Sequence, residues 1–522
     1  GRTNTVGDGP PSLGHAHAMV SSTRHSGFVS LLGAGPGDPG LITERAAQRL
    51  READLVLYDA LVHPALLERA PSSAEIRYVG KRAGRQNTRQ AEINAAMIEA
   101  ANDGKRVARL KGGDPYLFGR GSEEAEALAK AGVPFEVVPG VPSPLAATAY
   151  AGISLTHRSL ASSVAYLTAT ESPEKDRTSH NWAHLATATE TLVIFMGMRK
   201  LGGLMKLLVE HGRPSDTPVA VIHAASTPSQ KTVVATVETI AEAAEGLGLP
   251  SLIVVGRVVT LREHLRWFDK RPLFGRRVLV PRPAHQGGQL AALLSAEGAE
   301  ALCVPAIRVL PPEDSAPLKS ALGRLATYDW TLFTSPNAVR FTLDALSELG
   351  GDLRRFGTCR VACIGAKTKE SLAARGLVAD LVATEAHAEG FAEALLKDLE
   401  PSSRLLLPRA KEAREILPQS LRAAGHTLDI VTAYETHGPS DEGRVRLVDA
   451  LTQVDAVALS SSSMVRELHL AAPEALAKTE LFSIGPVTSQ TAEELGYSIA
   501  GTAQEASMEG LVSAIVARYE QA

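Results

Sequence analysis

The chain has 522 residues, of which 44% are hydrophobic and 21% are charged, and its formal net charge at pH 7 is −4. This composition predicts a water-soluble α/β protein with enough residues for about three or four domains. The small net charge excludes a chain-wide attraction to nucleic acid or membrane, and no run of about 18 apolar residues predicts a transmembrane helix.

Three cysteines, Cys303, Cys359 and Cys363, lie in or beside apolar strand-like runs. An odd count without zinc-ligand spacing predicts a reducing, cytoplasmic location, no disulfide framework and no metal site. We expect all three to be small buried hydrophobic side chains.

Residues 1–26 lack the apolar core of a signal peptide and are interpreted as a tag or disordered arm, with Met19 a candidate natural start. From there the chain alternates strand-like and helical stretches, which predicts parallel or mixed sheets. The alternation restarts at residue 277, so we place the main boundary near residue 272. Predicted strands before that boundary are 28–32, 55–58, 107–110, 133–138, 192–196, 218–222 and 251–255.

The first predicted strand enters a glycine-rich turn, residues 33–40, with the sequence Gly-Ala-Gly-Pro-Gly-Asp-Pro-Gly. Asp38 replaces the third glycine of the dinucleotide fingerprint, and no Gly-Lys-Ser/Thr phosphate-binding sequence follows. The turn instead suits a ligand that lies against bare backbone.

A second glycine-dense turn, residues 111–121, follows the strand 107–110 and precedes a helix whose N-cap we place near Gly121 or Ser122. Gly112 and Gly113 permit close backbone approach, and Asp114 offers a fixed acceptor. Because α/β folds bind ligands at the carboxyl ends of parallel strands, this turn predicts a ligand site. A tight turn without a ligand is the alternative.

Together these motifs resemble the uroporphyrinogen-III C-methyltransferases of the tetrapyrrole methylase class over about residues 27–270. The matching segments, in chain order, are 33–39, 58–59, 80–82, 109–121, 138–140, 149–158, 195–197 and 253–256. The resemblance implies a two-lobed tetrapyrrole methylase fold. It also implies transfer of methyl groups from S-adenosylmethionine to two carbons of uroporphyrinogen III, giving precorrin-2 and S-adenosylhomocysteine.

The same resemblance implies roles for individual residues. Asp59 is the expected proton acceptor, with a helix N-cap or surface acid as the alternative, and Lys81 is the expected proton donor, with a solvated or carboxylate-pairing lysine as the alternative. Cofactor contacts are expected at Pro36, Gly112, Gly113, Asp114, Leu117, Pro142, Ser143, Met196 and Ala225. Substrate carboxylates are expected at Arg82, Arg109, Arg120 and Arg158.

Three loops depart from the family pattern. Pro142-Ser143 stands where Thr-Ser or Thr-Ala is usual, and proline lacks a backbone donor. Ala169-Thr170-Glu171 replaces a Gly-His sequence, and residues 223–226, His-Ala-Ala-Ser, replace Glu-Asn-Gly-Thr. These departures leave open a weakened methylase, or another S-adenosylmethionine enzyme of the same fold that acts on a later corrinoid or a macromolecule.

After residue 275, most predicted strands end in small hydroxyl residues or glycine and enter a helix. Free N–H groups and hydroxyls at helix N-termini bind anions such as carboxylates, while ordinary helix capping is the alternative for any one of them. Their shared placement resembles uroporphyrinogen-III synthase over about residues 275–522. That resemblance implies two flavodoxin-like lobes, 275–312 plus 438–522 and 313–437, joined by paired strands.

The synthase resemblance implies closure of hydroxymethylbilane to uroporphyrinogen III with inversion of one ring and without a cofactor. Tyr434 is the candidate acid/base group, and a packed tyrosine is the alternative. Substrate carboxylates are expected at Thr334, Ser335, Lys367, Arg409, Ser461 and Thr488.

The second half would thus make the substrate of the first, which predicts a bifunctional enzyme of the sirohaem or cobalamin pathway. Its partners are expected to be the small molecules hydroxymethylbilane and uroporphyrinogen III, with no nucleic acid or membrane; a homodimer through the first half is left open. The alternatives are a synthase with a degenerate methylase half, and a sensor that binds tetrapyrrole or S-adenosylmethionine.

Overall fold

A computed structural model describes residues 27–80, 90–170, 180–282, 284–385 and 387–520. The chain divides into a first unit that ends at Gly275 and a second unit that begins at Arg276. The boundary predicted near residue 272 lies close to this division. Within the described ranges, every helix is too short or too polar to cross a membrane.

The first unit is built from two groups of strands and their covering helices. Its strands are β1 (Phe28–Gly33), β2 (Leu55–Tyr58), β3 (Glu75–Tyr78), β4 (Arg106–Lys111), β5 (Phe135–Val138), β6 (Val164–Thr168), β7 (Thr191–Phe195), β8 (Pro218–His223), β9 (Lys231–Thr236) and β10 (Ser251–Val255). Its helices are α1 (Glu44–Arg51), α2 (Gln90–Asn102), α3 (Gly121–Lys130), α4 (Ser143–Ala151), α5 (Trp182–Ala188), α6 (Leu201–Glu210), α7 (Ile240–Ala243) and α8 (Arg262–Leu265).

The strands of the first unit form two five-stranded sheets. The first sheet has the order β3-β2-β4-β1-β5 and is parallel throughout. The second has the order β6-β7-β10-β8-β9, in which only the β6–β7 pair is parallel. The central strands β1 and β4 are buried along nearly their whole length, as expected for a parallel sheet covered on both faces.

Local sequence signals set the helices that cover the first sheet. Thr43 caps α1 by accepting a hydrogen bond from the amide of Ala46 at 3.3 Å. The N-cap of α3 is Arg120, one position before the predicted Gly121, and its backbone is left-handed with φ 59°. Because all five strands of this sheet are parallel, the segments that follow them meet at one edge of the sheet.

The second unit has a similar alternation. Its strands are β11 (Arg277–Val280), β12 (Glu300–Cys303), β13 (Arg308–Leu310), β14 (Trp330–Phe333), β15 (Arg360–Cys363), β16 (Leu381–Val382), β17 (Arg404–Ala410), β18 (Thr427–His437), β19 (Ala456–Leu459), β20 (Glu480–Ser483) and β21 (Ile499–Thr502). Its helices are α9 (Ala284–Ala296), α10 (Ala316–Gly323), α11 (Pro336–Glu348), α12 (Ala366–Ala374), α13 (Ala388–Asp398), α14 (Ile416–Ala423), α15 (Asp441–Leu451), α16 (Ser462–Ala471), α17 (Pro473–Leu476), α18 (Pro486–Glu494) and α19 (Met508–Glu520).

Two sheets organise the second unit into two lobes. The parallel sheet β12-β11-β19-β20-β21 belongs to one lobe, and the sheet β13-β18-β17-β14-β15-β16 belongs to the other. Residues 308–310, predicted within the first lobe, pair antiparallel with the end of β18 in the second lobe, Arg308 opposite His437. Residues 308–310 join the second lobe because β13 and the end of β18, the two segments that connect the lobes, run side by side.

The α/β class predicted from the sequence is confirmed by these sheets. Cys359 and Cys363 are buried as expected, whereas Cys303 is only partly buried. Burial raises the pKa of both the Cys359 and the Cys363 thiol, so neither is activated as a nucleophile.

Candidate functional site

Three glycine loops meet at the carboxyl edge of the first sheet, backbone against backbone. Gly35 and Gly113 exchange N–H···O hydrogen bonds of 3.2 and 2.8 Å. A Cβ placed on Gly140 would lie 2.2 Å from the carbonyl oxygen of Gly113 and 2.7 Å from Cα of Gly33. Gly33 and Gly140 therefore leave no room for a side chain, and the loops after β1, β4 and β5 lie backbone against backbone.

Asp114 holds two of these loops together. Its Oδ1 accepts hydrogen bonds from the amides of Tyr116 at 2.8 Å and Leu117 at 3.1 Å, and its Oδ2 accepts one from the amide of Gly140 at 3.0 Å. Both carboxylate oxygens of Asp114, which the sequence predicts as a fixed acceptor, are thus held by backbone amides of the protein. Gly113 lies close to the next loop, since its Cβ would be 3.8 Å from the amide nitrogen of Ser143 and 3.9 Å from Cα of Pro142.

Asp59 follows β2 at the same edge, and its side chain is 29% exposed. Its Oδ1 accepts a 2.8 Å hydrogen bond from Nη2 of Arg109. The carboxylate therefore binds a guanidinium, and the alternative of a helix N-cap is not what the structure shows.

Arg109 belongs to a buried cluster of charges on β4 and α3. Its Nε donates to Oε1 of Glu124 at 3.0 Å, and Lys111 Nζ lies 3.1 Å from the same oxygen. Side-chain exposure is 2% for Arg109, 3% for Lys111 and 0% for Glu124. Burial, followed by the charge of Arg109, lowers the pKa of Lys111.

This geometry contradicts the prediction that Arg109 binds substrate carboxylates, because its donors are bound inside the protein. Arg120 and Arg158 are exposed instead, and Arg120 pairs with Glu123 across the surface at 2.6 Å. Lys81 and Arg82, predicted as proton donor and substrate ligand, lie outside the described residues, as does Glu171.

The loop that follows β8 in the second sheet approaches the same glycine loops. A Cβ on Gly37 would lie 2.7 Å from the carbonyl oxygen of Ala225. Ser226 Oγ accepts from the amide of Asp38 at 3.1 Å and donates to the carbonyl of Pro36 at 3.3 Å. Tyr150 completes this contact by donating to Asp38 Oδ2 at 2.7 Å, which raises the pKa of the phenol together with its burial. Pro36 and Ala225, both predicted cofactor positions, are therefore neighbours.

Several loop residues at this edge adopt a left-handed backbone, which side chains other than glycine rarely adopt. Their φ angles are 54° at Phe118, 59° at Arg120, 53° at Met196, 45° at Ala224 and 62° at Ser226. Such conformations persist only where the surrounding structure holds them, and they concentrate at ligand sites.

An apolar rim, which the sequence reasoning missed, surrounds the glycine loops. Leu61 is 59% exposed and would touch a Cβ on Gly112 at 2.8 Å. Phe118 packs edge-on against Phe195, with ring centroids 4.7 Å apart, next to the 51% exposed Met196. Exposed apolar side chains beside bare backbone suit a flat, partly apolar ligand.

In the second unit, the candidate residues lie at the carboxyl ends of strands. Ser335 caps α11 through the amide of Ala338 at 3.1 Å, and its hydroxyl lies 3.0 Å from that of Tyr434. Tyr434 stacks on Phe341 with ring centroids 5.8 Å apart. The structure thus brings the predicted Ser335 and Tyr434 together, and Thr334 beside them is half-buried.

The other predicted residues of the second unit differ in accessibility. Lys367 is exposed in the first turn of α12, and Ser461 caps α16 through the amide of Met464 at 3.4 Å. Arg409 is contradicted as a free substrate ligand, because its guanidinium is 12% exposed and paired with Glu415. Thr488, in the first turn of α18, is only 5% exposed, and its role as a substrate ligand stays a prediction.

Comparison with known proteins defines the class of each unit. Residues 29–241 match the family model of tetrapyrrole (corrin/porphyrin) methylases, and residues 288–513 match that of uroporphyrinogen-III synthase HemD. The first unit is therefore a tetrapyrrole methylase unit, and the second is a synthase unit of the HemD type.

Curated relatives match about half of the chain or more. The chain is 37% identical over 413 residues to the porphyrin biosynthesis protein HemD of Ruminiclostridium josui, covering 79% of this chain and 82% of that protein. It is 48% identical over 277 residues to a siroheme synthase of Neisseria meningitidis serogroup C (strain 053442), covering 52% of this chain but only 57% of that relative. A solved uroporphyrin-III C-methyl transferase from Thermus thermophilus, complexed with S-adenyl homocysteine, is 40% identical; the match covers 44% of this chain and 93% of that one, with a TM-score of 0.39.

The chain belongs to the family of fused tetrapyrrole methylases and uroporphyrinogen-III synthases. Both resemblances found in the sequence are thereby confirmed.

Proposed function

We propose that the chain is a bifunctional enzyme of tetrapyrrole biosynthesis. The synthase unit cyclises hydroxymethylbilane to uroporphyrinogen III with inversion of one ring, and the methylase unit methylates that product twice to precorrin-2. The observation that carries the methylase assignment is the carboxylate of Asp59. Arg109 holds it at the sheet edge where three glycine loops form a bare backbone surface.

S-adenosylmethionine is the proposed methyl donor. The backbone at Gly112 and Gly113, the left-handed Met196 and the loop at Ala225 leave a cradle at this edge that extra side chains would fill. When bound, S-adenosylmethionine supplies a methyl group on a positively charged sulfur. The residues proposed to hold it are Pro36, Gly112, Gly113, Asp114, Leu117, Pro142, Ser143, Met196 and Ala225, with Asp114 contributing through its backbone.

The chain's own part in the methyl transfer is to orient the pyrrole and take its proton. A pyrrole carbon that gains a methyl group must lose a ring proton, and Asp59 is the proposed acceptor. Exposed Arg120 and Arg158, together with Arg82, are proposed to bind the substrate carboxylates. The exposed Arg120–Glu123 pair is weak, so substrate can displace it. Lys81 is kept as the proposed proton donor.

For the synthase unit we propose Tyr434 as the group that assists the departure of water from hydroxymethylbilane. Its hydroxyl lies within hydrogen-bond distance of Ser335, which fixes its direction. Thr334, Ser335, Lys367 and Ser461 are proposed to bind substrate carboxylates through hydroxyl, amide and ammonium groups. The proposed step uses no cofactor.

One coupled assay tests the whole proposal and separates it from its alternatives. Purified chain is supplied with hydroxymethylbilane and S-adenosylmethionine, and the products are separated by chromatography. Precorrin-2 is the expected product, and an Asp59→Asn variant is expected to stop at uroporphyrinogen III.

Formation of uroporphyrinogen III alone by the unaltered chain would favour a synthase with a degenerate methylase. The altered loops at Pro142, Thr170, Ala224 and Ala225 are what motivate that second candidate. If the chain forms neither product but still binds S-adenosylmethionine in calorimetry, a sensor is favoured.

Since Cys359 and Cys363 are buried thiols, we place the enzyme in a reducing cytoplasm.

A further inference from the structure

Glu124 is a fully buried carboxylate that none of the proposed steps uses. It stands in the first turn of α3 and accepts from Arg109 Nε at 3.0 Å, Lys111 Nζ at 3.1 Å and Gln90 Nε2 at 3.1 Å. An ionised carboxylate is costly to bury, and a helix that covers a parallel sheet ordinarily presents apolar side chains there. Its placement therefore calls for a specific role.

The contacts of Arg109 show what Glu124 controls. A guanidinium is a planar fork with five donors. Here Nε binds Glu124, Nη1 binds the carbonyls of Leu57 at 3.4 Å and Leu110 at 3.3 Å, and Nη2 binds Asp59 at 2.8 Å. Glu124 and the two carbonyls fix the plane of the fork, and the remaining nitrogen is directed at Asp59.

Lys111 is the second cation that binds Glu124. It stands two residues after Arg109 on β4, so both side chains project from the same face of the strand, the face that meets Glu124. The cluster has two cations, Arg109 and Lys111, and two anions, Asp59 and Glu124. Arg109, Lys111 and Glu124 are at most 3% exposed, so removing the charge of Glu124 leaves an uncompensated charge in their buried part of the cluster.

We propose that Glu124, anchored by Lys111, is a positioning residue for methyl transfer: it sets the orientation of Arg109, and through it the direction in which Asp59 faces the pyrrole proton. The inference rests on the proposed role of Asp59 as proton acceptor. A proton acceptor must lie within hydrogen-bond reach of the proton it takes, and small misplacements of reacting groups cost large factors in rate.

The first test is Glu124→Gln, which keeps the shape of the side chain and removes its charge. We expect kcat for methylation of uroporphyrinogen III to fall about 10- to 100-fold, as for other residues that act through a neighbour. KM and the calorimetric Kd for S-adenosylmethionine should stay within about twofold, since the side chain of Glu124 bonds to Gln90, Arg109 and Lys111 and not to the glycines of the loops. Glu126→Gln, an exposed change on the same helix, is the matched control and should leave kcat unaltered.

A double variant separates positioning from folding. Glu124→Gln combined with Lys111→Met removes the uncompensated charge, so the thermal unfolding midpoint should return toward that of the unaltered chain. If kcat stays low in this stable double variant, Glu124 positions Asp59. If kcat recovers together with stability, or if Glu124→Gln alone keeps full kcat, the inference is overturned.

The failure of this inference is distinguishable from the failure of the proposed function. An unaltered chain that binds S-adenosylmethionine but never methylates uroporphyrinogen III overturns the function. An Asp59→Asn variant with full methylation overturns the assignment of the proton acceptor and this inference with it. Normal methylation by Glu124→Gln, with Asp59→Asn inactive, overturns the inference alone.

Discussion

In the methylase unit, the proposed proton acceptor Asp59 is held by a buried guanidinium, whereas in the synthase unit the proposed Tyr434 is held by the hydroxyl of Ser335 and a stacked ring. The first arrangement depends on compensated charges, of which Arg109 is buried and Asp59 is 29% exposed. The second depends on neutral hydrogen bonds of a common kind. The two units thus orient their candidate groups with interactions of very different strength.

The backbone shows the same contrast. Among the described residues, six other than glycine have a positive φ, and five of them lie in the methylase loops. The sixth, Ser402, lies in the turn before β17 and away from the candidate residues. Each such residue costs about 1–3 kcal/mol, a cost that is sustained where two reactants must be aligned.

The largest expected effect comes from breaking the buried cluster. Arg109→Met leaves Glu124 with Lys111 as its remaining cation, and we expect the free energy of unfolding of the methylase unit to fall by about 3–5 kcal/mol. Arg120→Met, which breaks only the surface pair with Glu123, should cost less than about 1 kcal/mol. Urea denaturation followed by circular dichroism measures both. Equal losses would show that the buried cluster contributes no more to stability than a surface pair.

A smaller effect is expected from crowding the glycine loops. Gly140→Ala places a Cβ 2.2 Å from the Gly113 carbonyl, so the loops must separate, at a cost of about 1–3 kcal/mol. Affinity for S-adenosylmethionine in calorimetry should fall at least about tenfold, the equivalent of about 1.4 kcal/mol. Gly203→Ala is the control, since a Cβ there meets no atom within 4 Å. If Gly140→Ala binds S-adenosylmethionine as tightly as the unaltered chain, the cofactor does not bind at the glycine loops.

In the synthase unit, removal of a hydroxyl should have a modest effect. Ser335→Ala removes a helix cap and the contact with Tyr434, and Ser440→Ala removes the cap of α15 alone. Both should lower the free energy of unfolding by about 1 kcal/mol. Only Ser335→Ala should slow ring closure, by about three- to tenfold, in an assay of uroporphyrinogen III formation. If both variants form uroporphyrinogen III at the same rate, Tyr434 is a packed tyrosine without a role in ring closure.

The smallest effect concerns pH. In the synthase unit, burial and a hydrogen bond to Asp429 raise the pKa of Tyr328 to about 12, from an ordinary value of 10.0. The unfolded chain therefore loses this proton first, so the stabilisation is complete below about pH 10 and declines as the pH rises toward 12. Tyr328→Phe should lower the free energy of unfolding by about 1 kcal/mol at pH 8, a difference that shrinks above pH 10. The exposed Tyr116→Phe should show no such trend.

Much of the fold followed from local patterns. The strands 55–58 and 251–255 have the bounds that were predicted, because buried runs of branched and aliphatic residues are bounded by polar turns. Glycine-dense turns after strands also predicted the edge where the loops meet. Helix caps were less accurate, since Arg120 is the N-cap of α3 and has a left-handed backbone, which residues other than glycine rarely adopt.

Side-chain roles were harder to predict, because they depend on partners distant in sequence. Arg109 was interpreted as a substrate ligand because the chain does not reveal that Glu124, on the next helix, lies against it. A signal was present: Arg109 and Lys111 alternate within a buried strand, a pattern that requires buried counter-charges. Arg409 was misinterpreted for the same reason, since its guanidinium has Glu415 beside it.

The contact of Gly33, Gly113 and Gly140 has a consequence for how this enzyme can be redesigned. A Cβ on Gly33 or on Gly140 would clash with the backbone of another loop, so neither of these two loops can be exchanged alone for a differently shaped one. A graft into a related scaffold has to carry all three loops together, although they lie far apart in the chain. The three loops therefore have to be treated as one structural unit.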